Sequence, residues 1–262
     1  MKVYRVLAPS YSGATMLSCL ASWHPRVTGF GDTYLSASLD YSKSVCTCGA
    51  PLLSCPLRAE INKLMGTAGH PIKSIREWEP FWDHGTENAF LHAIERAADV
   101  DVYVDGSKRV GRARTFDTAG VIQVVKSPFE YVQSYRHYFN ADATAEYIAT
   151  DWCAYHEDVD NLDRVPVASV VYEDFVRHPA EHMSGIWRAL GVGDIGLPAV
   201  STTHVIGHSS VLKFAKTGDV YCKPERLYGG LSEEDATTVV DVIRRERSRA
   251  GNLYLTGARV EG

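Results

Sequence analysis

The feature that most restricts this chain is a recurring unit: a short β-rich run ends in small, polar or charged residues and, in three of four occurrences, leads into a helical pattern. Val3 to Ala8 ends in Pro9-Ser10-Tyr11-Ser12-Gly13, and from Thr15 to Trp23 the apolar residues Met16, Leu17, Leu20 and Trp23 recur at helical spacing. Val102-Tyr103-Val104 runs into Asp105-Gly106-Ser107-Lys108. Val121 to Val125 runs into Lys126-Ser127-Pro128 and a helical segment from Phe129 to Phe139. Val167 to Val171 ends in Tyr172-Glu173-Asp174, with a helix expected from Pro179 to Leu190. Apolar strands alternating with helices predict an α/β fold, a central parallel β-sheet flanked by helices. Ligands of such sheets sit beyond the carboxyl ends of the strands, where all four polar clusters fall.

With 262 residues, 45% of them hydrophobic, the chain has material for one large core, and residues 1–262 are read as a single domain. Residues about 40 to 85 read as a helical insertion between the first helix and the second strand, covering the sheet edge or the acceptor site. The end, about 231 to 250, is an amphipathic helix whose acidic start, Ser232-Glu233-Glu234-Asp235, and basic end, Arg244 to Arg249, complement its dipole. The formal charge of −5 excludes a whole-molecule attraction to nucleic acid or to an anionic membrane, so any polyanion must be met by a local cluster of cations. No apolar run reaches the roughly 20 residues of a membrane span, and the amino terminus lacks a signal peptide's apolar core, so a cytoplasmic protein is expected. Of the six cysteines only Cys46-x-Cys48-(x6)-Cys55 looks organised. Three thiolates can contribute to a zinc site, but the opening is tighter than the usual Cys-x2-Cys and no fourth ligand is evident in the sequence; buried or paired thiols are expected, with no metal.

Ser10-Tyr11-Ser12-Gly13-Ala14-Thr15, between a strand and a helix, has the composition of a phosphate cradle: glycine admits close backbone approach, hydroxyls donate, and the helix start offers unpaired N–H groups. An ordinary helix cap has the same composition. It is not a Walker A loop, since Gly-x4-Gly-Lys-Ser/Thr is missing, and this counts against a P-loop phosphotransferase. The other strand ends add Lys108, Lys126 with Ser134 eight residues on, and Tyr172: cations, a hydroxyl and a phenol.

In this order the chain resembles the PAPS-dependent sulfotransferases (PAPS, 3′-phosphoadenosine 5′-phosphosulfate), bacterial-type members of secondary metabolism in particular, with their P-loop NTPase-like fold. The resemblance runs from Val3 to about Leu231. It implies that Ser10, Tyr11, Ser12, Gly13, Ala14 and Thr15 surround the 5′-phosphate, that Lys126 and Ser134 hold the 3′-phosphate, and that Tyr172, in Tyr172-Glu173-Asp174-Phe175, contacts adenine. His24-Pro25-x3-Gly29-x-Gly31-Asp32, Cys46-x-Cys48-Gly49 with Cys55-Pro56, and Asp105-Gly106-Ser107-Lys108 are similar to segments of bacterial members. His204-Val205-Ile206-Gly207, ahead of Lys213-Phe214, resembles a C-terminal loop closing over the nucleotide, which adds Lys213 to the nucleotide contacts.

The activity implied is transfer of sulfonate from PAPS to a hydroxyl of a small-molecule acceptor, leaving adenosine 3′,5′-bisphosphate (PAP). Asp32 matches the base of tyrosyl-protein members and is equally a good helix cap; His24, His204 and His208 are alternatives. Lys108 is the implied electrostatic stabiliser. Tyr11 stands where relatives carry lysine or arginine, Lys126 replaces an arginine, and Ser127 an aspartate. These departures leave room for a nucleotide-binding protein of this fold without sulfonate transfer. Tyr135, Tyr138, Phe139, Tyr147, Trp152 and Tyr155 either line an acceptor pocket or form a core face. The sequence leaves the oligomeric state open, a homodimer included.

Overall fold

The computed structural model describes residues 1–31, 45–69, 83–198, 203–205 and 230–256. Within them lies a five-stranded, all-parallel sheet: β1 (Lys2–Leu7), β2 (Val27–Gly29), β3 (Val102–Asp105), β4 (Gly120–Val125) and β5 (Ala168–Val171), in the spatial order β2-β3-β1-β4-β5. The sequence reading missed β2. It has only three residues, too few to display a period. β1 is central, pairing Tyr4 with Val104 of β3 on one side and with Gly120 of β4 on the other.

Alternation along β1 divides the core. Tyr4, Val6 and Ala8 face a layer that includes Leu17, Leu20, Phe175, Ile186 and Trp187, drawn largely from α1 (Ala14–Ala21) and α8 (Pro179–Leu190). Val3 faces the opposite side, where α2 (Pro56–Thr67) and α3 (His84–Ala98) bury Ile61, Met65, Phe90 and Ile94 against Phe30 and Tyr103. The described part of the expected insertion, α2 with the start of α3, thus packs on this face of the sheet. Leu7 meets Val110 of α4 (Val110–Thr115) and Val159 of α6 (Ala145–Asp160). α5 (Pro128–Tyr138), α6 and α9 (Glu233–Arg245) bury a third cluster around Trp152 and Val239, joined by α10 (Arg249–Thr256); α7 (Tyr172–Arg177) follows β5 directly.

The termini follow local chemistry. Asp83, Thr144 and Ser232 cap α3, α6 and α9 by accepting from Thr86 N, Tyr147 N and Asp235 N, while α2, α5 and α8 start with proline in the first turn, where no N–H is needed. The C-terminal segment, read as one helix to about residue 250, is interrupted at Glu246 to Ser248, where Arg247 takes a positive φ of 49°, and resumes as α10. Arg245 there pairs with exposed Glu146, consistent with a solvated helix end.

Arg5 lies on the same face as Val3 and Leu7, 1% exposed. A buried guanidinium is tolerable only when paired. It bonds Asp105 of β3, Glu87 Oε1 of α3 at 2.8 Å and Thr118 Oγ1 at 3.0 Å; Arg112 of α4 reaches Glu87 Oε2 at 2.7 Å and Asp105 Oδ2 at 3.3 Å. Two positive and two negative charges thus close a square under the loop that follows β3.

Candidate functional site

β1 sits where the strand order reverses: β3 and β2 lie to one side, β4 and β5 to the other. Loops leaving β1 and β4 therefore diverge and open a crevice at their carboxyl ends. The β1 loop turns into α1 through two residues with left-handed backbone, Tyr11 (φ 65°) and Gly13 (φ 86°). Gly13 is the helix cap and offers no side chain to bond the first-turn N–H groups, unlike the caps of α3, α6 and α9. Those donors remain directed at the crevice. Ser12, between the two, is 1% exposed, and its Oγ has no hydrogen-bond partner among the described residues. Ser10 is exposed, Ala14 buried and Thr15 half-buried.

Lys126, at the end of β4, crosses the crevice. Its Nζ donates to Ser134 Oγ of α5 at 2.6 Å and to the Tyr11 carbonyl at 3.3 Å, and lies 5.0 Å from the centre of the Tyr172 ring. Tyr172, the first residue of α7, presses its ring on Gly13: a Cβ built there would come within 2.5 Å of the ring's Cε2. Ser12, Gly13, Lys126, Ser134 and Tyr172, taken from three strand ends and one helix, are thus brought together.

Three residues that sequence reasoning did not single out in these roles hold the frame. Glu173 Oε1 accepts from Ser127 N at 2.9 Å and its Oε2 from the Tyr254 hydroxyl at 3.0 Å; Trp152 Nε1 donates to the Lys126 carbonyl at 3.1 Å. Burial beside Glu173 pushes the Tyr254 phenol up, so it stays a neutral donor. Tyr155 Oη, half-buried, donates to the Lys108 carbonyl at 2.7 Å and also takes a backbone hydrogen bond from Ala8, so one phenol ties the loop bearing Lys108 to the end of β1. Lys108 itself has a left-handed backbone (φ 65°). Gly106 is required just before it, because a Cβ there would meet Ser18 Oγ at 2.5 Å and the Gly31 carbonyl at 2.6 Å.

The Tyr11 ring stacks on Tyr138 (5.6 Å, 14°) and meets Tyr135 edge-on (6.4 Å). Burial raises the Tyr11 phenol, which leaves it an uncharged group at neutral pH. Tyr138, Phe139 and Tyr147 are exposed around it, whereas Trp152 is fully buried; the aromatic stretch is thus part open surface and part core. Asp32, His208 and Lys213 lie outside the described residues. His24 is buried against Trp187 and accepts from Arg26 N, the contacts of a packed histidine.

His204 keeps other company. Its Nδ1 is 3.2 Å from Cys55 Sγ and 4.0 Å from Cys46 Sγ, and its carbonyl accepts from Arg58 Nη2 at 3.2 Å. The fourth partner that sequence spacing did not reveal for the cysteines comes from 149 residues beyond Cys55. A cavity of about 440 Å³ borders His204, Pro56 and Val27. Val27 opens β2 and Val100, also in its wall, precedes β3, so this cavity is at the amino ends of the strands, opposite the Ser12–Lys126 crevice.

No protein-family model and no curated protein sequence matches the chain. Among solved structures it is similar to the sulfotransferase domain from the curacin biosynthetic pathway, with a TM-score of 0.57 and 14% identity over 95% of this chain and 98% of that one. It is also similar to a sulfotransferase from Alicyclobacillus acidocaldarius, with a TM-score of 0.51 and 11% identity over 97% and 95% of the two chains. With its parallel sheet, its strand order and these likenesses over nearly the whole length, the chain has the sulfotransferase fold.

Proposed function

We propose that the protein is a sulfotransferase that takes a sulfonate group from PAPS and delivers it to a hydroxyl of a small-molecule acceptor. The observation that carries this reading is the junction of β1 and β4: Ser12, whose buried Oγ is without a partner among the described residues, sits in the loop whose Tyr11 carbonyl is reached by the Lys126 ammonium that also bonds Ser134. An unpartnered buried hydroxyl costs about 1–3 kcal/mol, which an anionic oxygen at that point relieves. The donor set also fits the nucleotide. Backbone N–H groups at the start of α1, with Ser12 and Thr15, suit the 5′-phosphate; Lys126 and Ser134 suit the 3′-phosphate; the Tyr172 ring offers a face for adenine.

When bound, the nucleotide supplies an activated sulfonate whose sulfur accepts the acceptor oxygen while the bond to the 5′-phosphate oxygen breaks. The residues' work is electrostatic and positional. Lys108, fixed through its carbonyl by Tyr155, offsets charge that gathers on the leaving phosphate oxygen. Tyr11 contributes no formal charge, and its ring joins the exposed aromatic surface of Tyr138, which suits an apolar acceptor. Asp32 is the proposed base that takes the acceptor's proton.

Calorimetry with PAP and with ATP tests the reading. PAP is expected to bind more tightly than ATP, and Lys126→Met and Ser134→Ala are each expected to weaken PAP by about 10-fold or more, as for hydrogen bonds to a charged group. Equal, weak binding of both nucleotides by the wild type overturns it. Radiolabelled PAPS with a panel of hydroxylated acceptors then separates transfer from binding alone, the second reading that the uncharged Tyr11 keeps open.

A further inference from the structure

We propose that Cys46, Cys48, Cys55 and His204 form a structural zinc site that clasps the turn Cys46–Cys55 and the start of α2 to the segment 203–205. The four donor atoms all lie within 4.8 Å of one another. Cys48 Sγ is 3.9 Å from Cys55 Sγ, and His204 Nδ1 is 3.2 Å and 4.0 Å from Cys55 and Cys46 Sγ. Tetrahedral zinc with bonds of about 2.3 Å to sulfur and 2.0 Å to nitrogen separates its ligands by roughly 3.5–3.8 Å, a spacing that the distances here bracket. Three thiolates with one imidazole select zinc over the hard cations, which prefer oxygen.

The backbone is built to hold this arrangement before any metal arrives. Cys46 N donates to the Ala50 carbonyl at 2.9 Å and Gly49 N to the Cys46 carbonyl at 2.8 Å, a tight turn that Gly49 completes with φ 91°. The Cys-x-Cys opening, tighter than the usual knuckle, is thereby accommodated on one turn. Cys55 caps α2, so its sulfur lies at the positive end of a helix. The histidine arrives from the far end of the sequence and is fixed on both flanks: Thr47 N donates to the Val205 carbonyl at 3.0 Å, Val205 N to Thr47 Oγ1 at 3.0 Å, and Thr203 Oγ1 lies 2.7 Å from Thr47 Oγ1.

Charge completes the argument. Zinc with three thiolates and a neutral imidazole carries a net charge of about −1, which needs a counter-charge if buried. Arg58, one turn into α2 and 2% exposed, is placed to provide it: it bonds the His204 carbonyl, covers the Phe30 ring at 4.7 Å, and feels Cys46 and Cys55 electrostatically. Cys46 and Cys55 are fully buried, and four protein donors leave no open coordination position, so the role is structural. The site is independent of the nucleotide reading, since none of its residues belongs to the β1–β4 crevice.

Metal analysis of the full-length protein, purified without chelator, is expected to give about one zinc per chain. After exchange with Co²⁺, the wild type is expected to show the intense visible bands and near-ultraviolet thiolate-to-metal absorption of a tetrahedral site. Cys55→Ser and His204→Ala are expected to lower the zinc content several-fold or to shift the cobalt bands, while Cys19→Ser and Cys153→Ser leave both unchanged. Metal-free wild type that takes up Co²⁺ without tetrahedral bands overturns the proposal. So does a Cys48–Cys55 disulfide in the unreduced protein, or a cobalt spectrum that is unaltered in His204→Ala. No nucleotide is present in these measurements, so their failure and that of the PAP titration are read separately.

Discussion

Gly13 combines two constraints that usually occur apart. Its φ of 86° is a conformation that a side chain resists, and a Cβ would also strike the Tyr172 ring at 2.5 Å. Gly13→Ala is therefore expected to destabilise the protein by about 2 kcal/mol, the sum of backbone strain and a displaced ring. In a Tyr172→Ala background the ring is gone and only the strain remains, so the same substitution is expected to cost about 1 kcal/mol. Urea unfolding of the four proteins in the cycle measures this; strict additivity refutes the contact. Lys126 and Ser134 were legible together because both lie in one strand–loop–helix stretch, Val121 to Ser134, that resembles the family's 3′-phosphate segment. Glu173, Tyr254 and Trp152 were not legible in their supporting roles, because each bonds a backbone atom at or just past the end of β4 (Ser127 N, the Val125 carbonyl and the Lys126 carbonyl), which can be met from anywhere in the chain. His204 was noticed in the sequence but assigned to a nucleotide loop, since a single histidine carries no sign of three cysteines so distant from it.

At the scale of elements, the square of Arg5, Glu87, Asp105 and Arg112 joins β1, α3, β3 and α4. Asp105 Oδ1 also accepts from Ser107 N at 2.9 Å, so the network shapes the turn that carries Lys108. Removing one charge leaves the others buried and unbalanced, which costs more than the intact square contributes. Glu87→Gln is expected to destabilise by about 3 kcal/mol and to lower Tm by roughly 10 °C. Glu146→Gln, which breaks the exposed pair with Arg245, is expected to change Tm by about 1 °C or less. Similar melting of the two variants refutes the distinction. Four of the five strands and the helices α1, α5, α8 and α9 could be read because each has one apolar face or a continuous apolar run, whereas the two longest, α3 and α6, were not singled out. β2 could not, and neither could the pairing of Arg5: in the sequence it is one arginine interrupting a strand, and its partners lie 82 to 113 residues away.

For the molecule as a whole, the buried titrating groups decide how it responds to acid. His156 is completely buried beside Trp152, neither ring nitrogen has a hydrogen-bond partner among the described residues, and burial holds its pKa down at about 3. Because the folded value lies below the unfolded value of about 6.5, the unfolded chain takes up a proton that the native one refuses. Stability is then fully present above pH 6.5 and falls by about 1.4 kcal/mol per pH unit below it, until the folded pKa is reached. Burial pushes the Asp105 carboxyl up, but Arg5, Arg112 and the Ser107 N–H outweigh this and hold it below the ordinary value of 3.8. Its contribution is present above that value and is lost as pH falls through the lower folded pKa. The two windows therefore separate: between pH 6.5 and 5 the histidine titrates in the unfolded chain while Asp105 is ionised in both states. His24, lowered by burial and by Arg26, adds a smaller effect of the same sign. Over that interval the wild type is expected to lose about 2 kcal/mol from His156, or roughly 4–8 °C in Tm, and His156→Phe, which keeps a ring against Trp152, is expected to remove most of that loss. Thermal melts of both proteins at pH 7, 6 and 5 check it. An equally steep fall in the variant shows that another group governs the acid side, and a neutral, buried His156 is then no longer its cause.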